Sequence, residues 1–145
     1  MLKITKVNKL KKSNFKIKVF YEDTDCAGVV YYASYLKYFE RARTNLLITL
    51  YPKIKKILQN GDFFFVVRKI NVTYLRPCLL FDDLVISTIL KKVTKTSIWL
   101  EQILKKNTQE HCIMDVQLVW ISSKNQRPTK IINELSFLLN EIKLV

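Results

Sequence analysis

The sequence predicts an α+β domain in which an antiparallel sheet of five strands wraps around one long helix. One stretch, beginning at Ser34, repeats its apolar residues at steps of three and four, whereas several others alternate apolar and polar residues. The later alternating stretches follow one another without helices between them, which denies a parallel, doubly wound sheet. At 145 residues and 49% hydrophobic content the chain can build one core, and no repeat, low-complexity tract or linker divides it. Residues 1–145 therefore read as a single domain.

The first strand is expected at 15–21, with Phe15, Ile17, Val19 and Tyr21 on one face and Lys16 and Lys18 on the other. The segment EDTDCAGVVYYA then interrupts the alternation. From Ser34, the residues Tyr35, Tyr38, Phe39, Ala42, Leu46 and Leu50 form the apolar face of a helix, and this face is the natural partner of the sheet. Ser34 is a candidate cap, with an earlier first turn near Val30 as the alternative. Pro52 kinks or ends the helix, Ile54, Ile57 and Leu58 add a further turn or two, and Asn60-Gly61 supplies a left-handed stop. Strands follow at 63–75, broken by Arg76-Pro77, then at 84–93 and 97–104, joined by a tight turn at 94–96. At 112–121, Cys112, Met114, Val116, Leu118 and Trp120 face one way and Asp115 and Gln117 the other. A short amphipathic helix is expected at 133–142.

The net charge of +13 suits a polyanionic partner such as nucleic acid, a membrane surface or a phosphate-rich ligand. Most of the excess is lysine in a chain that also favours isoleucine and asparagine, a bias that AT-rich coding produces without functional cause. No zinc-finger spacing or RNA-recognition motif accompanies it, so a nucleic-acid partner is not expected. Three cysteines, Cys26, Cys78 and Cys112, lack C-x-x-C spacing and are read as reduced thiols; with a single histidine they make no metal site. No apolar run reaches the length of a membrane span, and the lysine-rich start MLKITKVNKLKK lacks the apolar stretch of a signal peptide, so a soluble cytoplasmic protein is expected.

The interrupting segment holds the triplet Asp23-Thr24-Asp25 and one of only two glycines, Gly28. A calcium loop from Asp23 fails, because Ala27 and Ser34 stand where ligands are required. A phosphotransferase D-x-D needs the parallel framework already excluded. Two readings stay open. In one, the aspartates only satisfy backbone N–H groups in an Asx-turn. In the other, a carboxylate next to a glycine and a helix start lies beside N–H groups of partial positive charge, an arrangement that stabilises a developing oxyanion. Gly28 then permits close approach of a substrate or a backbone angle denied to other residues.

Tyr21-Glu22-Asp23-Thr24-Asp25, Gly28-Val29-Val30-Tyr31-Tyr32, Tyr35 and Phe39-Glu40-Arg41-Ala42-Arg43 closely resemble the signature of the hotdog-fold acyl-CoA thioesterases. The resemblance continues through Phe65-Val66-Val67-Arg68-Lys69, Tyr74-Leu75-Arg76-Pro77 and Asp82-Asp83-Leu84, and covers the chain from about Lys16 to Ile121. The nearest group resembles the small thioesterases associated with the Tol-Pal system, with 4-hydroxybenzoyl-CoA thioesterase as a cousin. The resemblance implies the hotdog fold, a long helix wrapped by an antiparallel sheet. It also implies hydrolysis of a thioester to a carboxylic acid and free coenzyme A. The family's catalytic carboxylate falls on Asp25, as nucleophile or general base, and its oxyanion donor on the backbone N–H of Tyr32. Gly28, Val30 and Tyr31 fall against the substrate, in a site at a dimer interface.

One departure is that Tol-Pal-associated relatives usually carry histidine where this chain has Tyr32, whereas the hydroxybenzoyl enzyme has tyrosine. A backbone donor survives that change; any role of an imidazole does not. Lys91, Lys92 and Lys95 flank the 94–96 turn, near a basic cluster of the hydroxybenzoyl relative, and Lys95 is the candidate contact for the phosphates of coenzyme A. Glu22 and Asp23 are expected to be structural or electrostatic neighbours, Glu40 and Arg43 an intrahelical pair of small worth if exposed, with a role in shaping the site as the alternative, and His111 an exposed strand-end residue. Cys26 adjoins Asp25, but with His111 far away it is not read as a nucleophile.

The expectation is thus an acyl-CoA thioesterase acting as a homodimer or homotetramer, with no cofactor beyond the coenzyme A of its substrate. The alternative is a low-turnover binding module for acyl carrier protein, an acidic partner suited to the charge, or for envelope-related factors.

Overall fold

The computed structural model describes residues 13–143. The lysine-rich start, read as lacking a signal peptide, lies outside the described residues. Among those described, no helix is long and apolar enough to cross a membrane. Strand β1 (Ser13–Lys18) leads through a 3-10 turn (Tyr21–Asp23) and a loop into helix α1 (Ser34–Leu50) and a short helix α2 (Ile54–Asn60). Four long strands follow, β2 (Phe63–Tyr74), β3 (Asp83–Val93), β4 (Ser97–Lys106) and β5 (Gln109–Ser122), then the two-residue β6 (Arg127–Pro128) and helix α3 (Asn133–Lys143). All pairings are antiparallel, in the order β1-β3-β4-β5-β2, with β6 beside β5. The five expected long strands are present, and β6 is an addition too short for alternation to reveal.

Helix α1 lies against the inner face of this sheet. Tyr38 and Phe39 are fully buried, with Tyr35, Ala42 and Leu46 almost so, and they share the core with Ile86, Leu100, Leu104, Met114 and Trp120 from the strands. Burying such side chains contributes roughly 1.5–3 kcal/mol each, so the helix-to-sheet seam dominates the fold's stability. Ser34 is the first helical residue rather than the cap; Ala33 occupies the cap position and offers no side-chain acceptor. Gly61 ends α2 at φ +76°, the left-handed stop expected of Asn60-Gly61. The first strand is shorter than its alternation suggests, because Val19 leaves the ladder to exchange backbone hydrogen bonds with Phe81 and Asp82, and Tyr21 starts the 3-10 turn.

Candidate active site

The loop between the 3-10 turn and α1 is built almost entirely from backbone hydrogen bonds. Asp23 anchors it: its Oδ2 accepts the Phe20 N–H at 2.8 Å and its carbonyl accepts the Tyr31 N–H at 2.8 Å. Thr24 and Val30 face each other across a single antiparallel bridge, with the Asp25 N–H donating to the Val29 carbonyl at 2.9 Å and the Gly28 N–H to the Asp25 carbonyl at 3.1 Å. Gly28 sits at φ +77°, and a Cβ placed there would meet nothing within 4 Å, so its contribution is the backbone angle rather than room for a neighbour. The Val30 N–H donates to the Cys78 carbonyl at 2.8 Å, which ties the loop to the β2–β3 connection.

Asp25 realises the first of the two open readings of the triplet. Its Oδ1 accepts the Ala27 N–H at 2.8 Å, the geometry of an Asx-turn. Its Oδ2 has no protein partner among the described residues, and the side chain is exposed. A groove of about 450 Å³ opens beside it, lined by Asp25, Val30, Tyr31, Tyr32, Tyr35, Tyr74 and Arg76 among others.

The floor and walls of this groove are aromatic. Tyr31 and Tyr32 are 46% and 63% exposed with ring centroids 4.7 Å apart, whereas Val30 and Tyr35 are buried. The Tyr35 hydroxyl accepts the Cys78 N–H at 3.2 Å, and burial, followed by Cys78, pushes the Tyr35 phenol well above its ordinary pKa. Tyr74 crosses from the end of β2 and donates its hydroxyl to the Tyr32 carbonyl at 2.9 Å. Burial, then Cys112 and Tyr32, push the Tyr74 phenol up, so it stays a donor through neutral pH. The N–H groups of Tyr32 and Ala33 donate to no protein acceptor among the described residues, and they stand at the positive end of the α1 dipole. A carboxylate oxygen and a residue with an unclaimed N–H, Tyr32, thus border one groove, the components for adding a nucleophile to a carbonyl and holding the resulting oxyanion.

Asp25, Val30, Tyr31 and Tyr32 are brought together in this groove, while Gly28 shapes the loop without lining it. Lys95 is not brought there within one chain. It lies on the β3–β4 turn, next to the Thr96 carbonyl that binds the Trp120 N–H, whereas Tyr74 pairs with Cys112 at the other end of β5. At about 3.3 Å per residue those ends are on the order of 25 Å apart.

One further expectation is corrected, and the environment of an expected pair is decided. His111 is 6% exposed, with Nδ1 3.0 Å from the Pro77 carbonyl and 3.5 Å from Cys78 Sγ, because the ladder slips between Leu104 and Lys105 and leaves His111 as the extra residue of a bulge. Arg43 does pair with Glu40, but it is buried at 5% exposure and its guanidinium also reaches Gln102. Tyr74 and Arg76 join the groove without having been expected there. Their signal in the sequence is the quartet Tyr74-Leu75-Arg76-Pro77, although strand alternation alone does not show that β2 ends beside the loop.

Comparison with known proteins bears on the family and the fold. A family profile described as Thioesterase-like superfamily matches residues 19–137. The chain is 33% identical over 130 residues to the acyl-CoA thioesterase YbgC of Haemophilus influenzae, covering 90% of this chain and 96% of that one. It is 36% identical over 103 residues to the acyl-CoA thioesterase YbgC of Helicobacter pylori, covering 71% of this chain and 70% of that one. The crystal structure of a 1,4-dihydroxy-2-naphthoyl-CoA thioesterase from Synechocystis superposes with a TM-score of 0.81 at 17% identity, over 89% of this chain and 96% of that one, and so shares the fold. The chain belongs to the Thioesterase-like superfamily and has its hotdog fold.

Proposed function

We propose that the protein is an acyl-CoA thioesterase in which Asp25 is the nucleophile or general base. The observation that carries this reading is the unpaired Asp25 Oδ2 in a groove it shares with the unclaimed N–H of Tyr32. As a general base, Asp25 takes a proton from water while the water oxygen bonds to the thioester carbonyl carbon. The carbonyl oxygen becomes an oxyanion held by the Tyr32 N–H, the carbon–sulfur bond breaks, and the thiolate of coenzyme A recovers the proton from Asp25. As a nucleophile, Asp25 bonds to the same carbon, expels the thiolate to leave an anhydride, and water then cleaves that anhydride. Both routes give a carboxylic acid and free coenzyme A, and both need the carboxylate ionised.

A second copy of the chain completes the site in this reading. Among the described residues β2 pairs only with β5, and along its open edge Val67, Ile70 and Tyr74 are 49%, 41% and 47% exposed. An open apolar edge is a template for strand pairing. Antiparallel pairing of β2 with its copy sets the Tyr74 end of one chain beside the Phe63 end of the other, the end that carries the Lys95 turn. Lys95 of the second copy is then the candidate contact for a coenzyme A phosphate, and the net charge of +13 favours that polyanion in general. The unpaired cysteines suit a reducing compartment, and we assign the protein to the cytoplasm.

The test is a panel of acyl-CoAs with short, long and aromatic acyl groups, assayed for thiol release alongside sedimentation of the protein. Turnover of at least one acyl class by a dimer or tetramer is expected. Tight binding across the panel without thiol release would replace the enzyme by a binding module.

A further inference from the structure

The two peptide units that carry the unclaimed donors are held in different ways. A trans peptide is planar, and its C=O and N–H point in opposite directions, so fixing the carbonyl fixes the donor. The unit joining Tyr31 to Tyr32 is held locally, because the Tyr31 carbonyl accepts the Ser34 N–H at 2.8 Å within the turn that enters α1. The unit joining Tyr32 to Ala33 has no such local partner. The Leu36 N–H goes to the Ala33 carbonyl, and among the described residues the Tyr32 carbonyl accepts only the Tyr74 hydroxyl, at 2.9 Å.

We propose that Tyr74 is a positioning residue that sets the backbone donors at the head of α1 through its hydrogen bond to the Tyr32 carbonyl. The inference rests on the thioesterase reading of the groove. Tyr74 is suited to the task because it is anchored on the sheet: it closes the β2–β5 register opposite Cys112, and its ring meets Tyr35 edge-to-face with centroids 5.3 Å apart. The phenol therefore transmits the rigid position of the sheet to a loop peptide 42 residues earlier in the chain. Without it, the Tyr32–Ala33 peptide can rotate about the flanking bonds. The rotation changes the backbone angles at Tyr32, whose N–H is the donor assigned to the oxyanion. A donor turned off its line to the oxyanion no longer stabilises the developing negative charge.

The bond is exposed, so its loss leaves the core untouched, and phenylalanine keeps the ring contact with Tyr35. Tyr74→Phe is therefore expected to fold with an unchanged melting temperature. Its kcat falls roughly 10- to 100-fold while KM stays within about twofold, since the donors act on the transition state and not on the bound acyl group. The backbone amide NMR signals of Tyr32 and Ala33 are expected to shift and broaden in Tyr74→Phe, with those of Val30 and Ser34 unchanged. A kcat within twofold of wild type, a rise in KM at constant kcat, or unaltered amide signals at Tyr32 and Ala33 overturns the inference. Should the wild-type protein itself release no thiol, the thioesterase reading fails on its own, and the amide signals still decide whether Tyr74 holds the peptide.

Discussion

Arg43 of α1 and Gln102 of β4 meet inside the seam between helix and sheet, with Arg43 Nη1 donating to Gln102 Oε1 at 3.0 Å. Gln102 is fully buried, and its Nε2 donates to the Phe39 carbonyl and to Thr88 Oγ1, each at 3.0 Å. Arg43 Nη2 goes to Glu40, while Nε is buried without a partner among the described residues. A charge buried on so few contacts is sensitive to the loss of any one of them. Gln102→Leu is expected to destabilise the protein by about 2–4 kcal/mol in urea unfolding, since it strips Arg43 and Thr88 of a partner together. Adding Arg43→Met to that variant is expected to recover at least about 1 kcal/mol, because the stranded charge is then gone. Strictly additive losses would show that the two side chains are not coupled.

The thiols are expected to divide two ways. Cys26 is exposed, whereas Cys78 and Cys112 are buried; burial, followed by Cys78, pushes the Cys112 thiol up to about 12. Titration with a disulfide reagent near pH 8 is expected to give one fast thiol in the native protein and the remaining two only on unfolding. Cys26→Ser removes the fast phase and leaves thioester turnover within about twofold, because the Asp25 reading gives the thiol no chemical step.

Acid lability is expected to trace in part to Asp82. Burial raises its pKa, but Lys106 Nζ at 2.6 Å from Oδ1, the Leu79 N–H at 2.9 Å from Oδ2 and the nearby His111 outweigh burial, so the net shift is downward. Between the folded value and the unfolded value near 3.9 the unfolded chain binds more protons, so stability rises with pH there. The contribution is complete above the unfolded value and is lost as pH falls through the folded one. Urea midpoints between pH 5 and 3 are expected to fall less steeply in Asp82→Asn than in wild type. Parallel slopes would remove Asp82 from the account.

The two glycines separate conformational cost from function. Gly28 and Gly61 have φ of +77° and +76°, and a Cβ at either meets nothing within 4 Å. Each alanine substitution is therefore expected to cost about 1–2 kcal/mol, the left-handed penalty alone. Only Gly28→Ala is expected to lower kcat, since relaxing that angle shifts the Asp25 turn, whereas Gly61 merely ends α2. Equal effects on kcat would detach the loop geometry from catalysis.

Much of the framework is legible in short-range pattern. The steps of three and four from Tyr35 to Leu50 specify α1, the inward row Cys112 to Trp120 specifies β5, and Gly61 marks the end of α2. What pattern does not carry is register across the sheet. Alternation turns His111 outward from the buried Cys112, and only the slip between Leu104 and Lys105 turns it in. Arg43 lies one turn from Phe39 and so on the buried side, but its partner Gln102 is 59 residues away. The 94–96 turn is legible as a turn, while its place at the far end of the sheet from Asp25 depends on the β4–β5 pairing. Within the site, Asp25 and Tyr32 emerge from the resemblance of their motif, whereas Tyr74 enters through a contact between elements that sequence spacing does not report.

Turnover by Asp25→Asn probes the central claim most directly. Asparagine keeps an oxygen to accept the Ala27 N–H, so the loop and the melting temperature are expected to match wild type. With the ionised carboxylate gone, kcat/KM for the preferred acyl-CoA is expected to fall on the order of 10³-fold. A folded Asp25→Asn protein that hydrolyses the same substrate within tenfold of the wild-type rate would contradict the account.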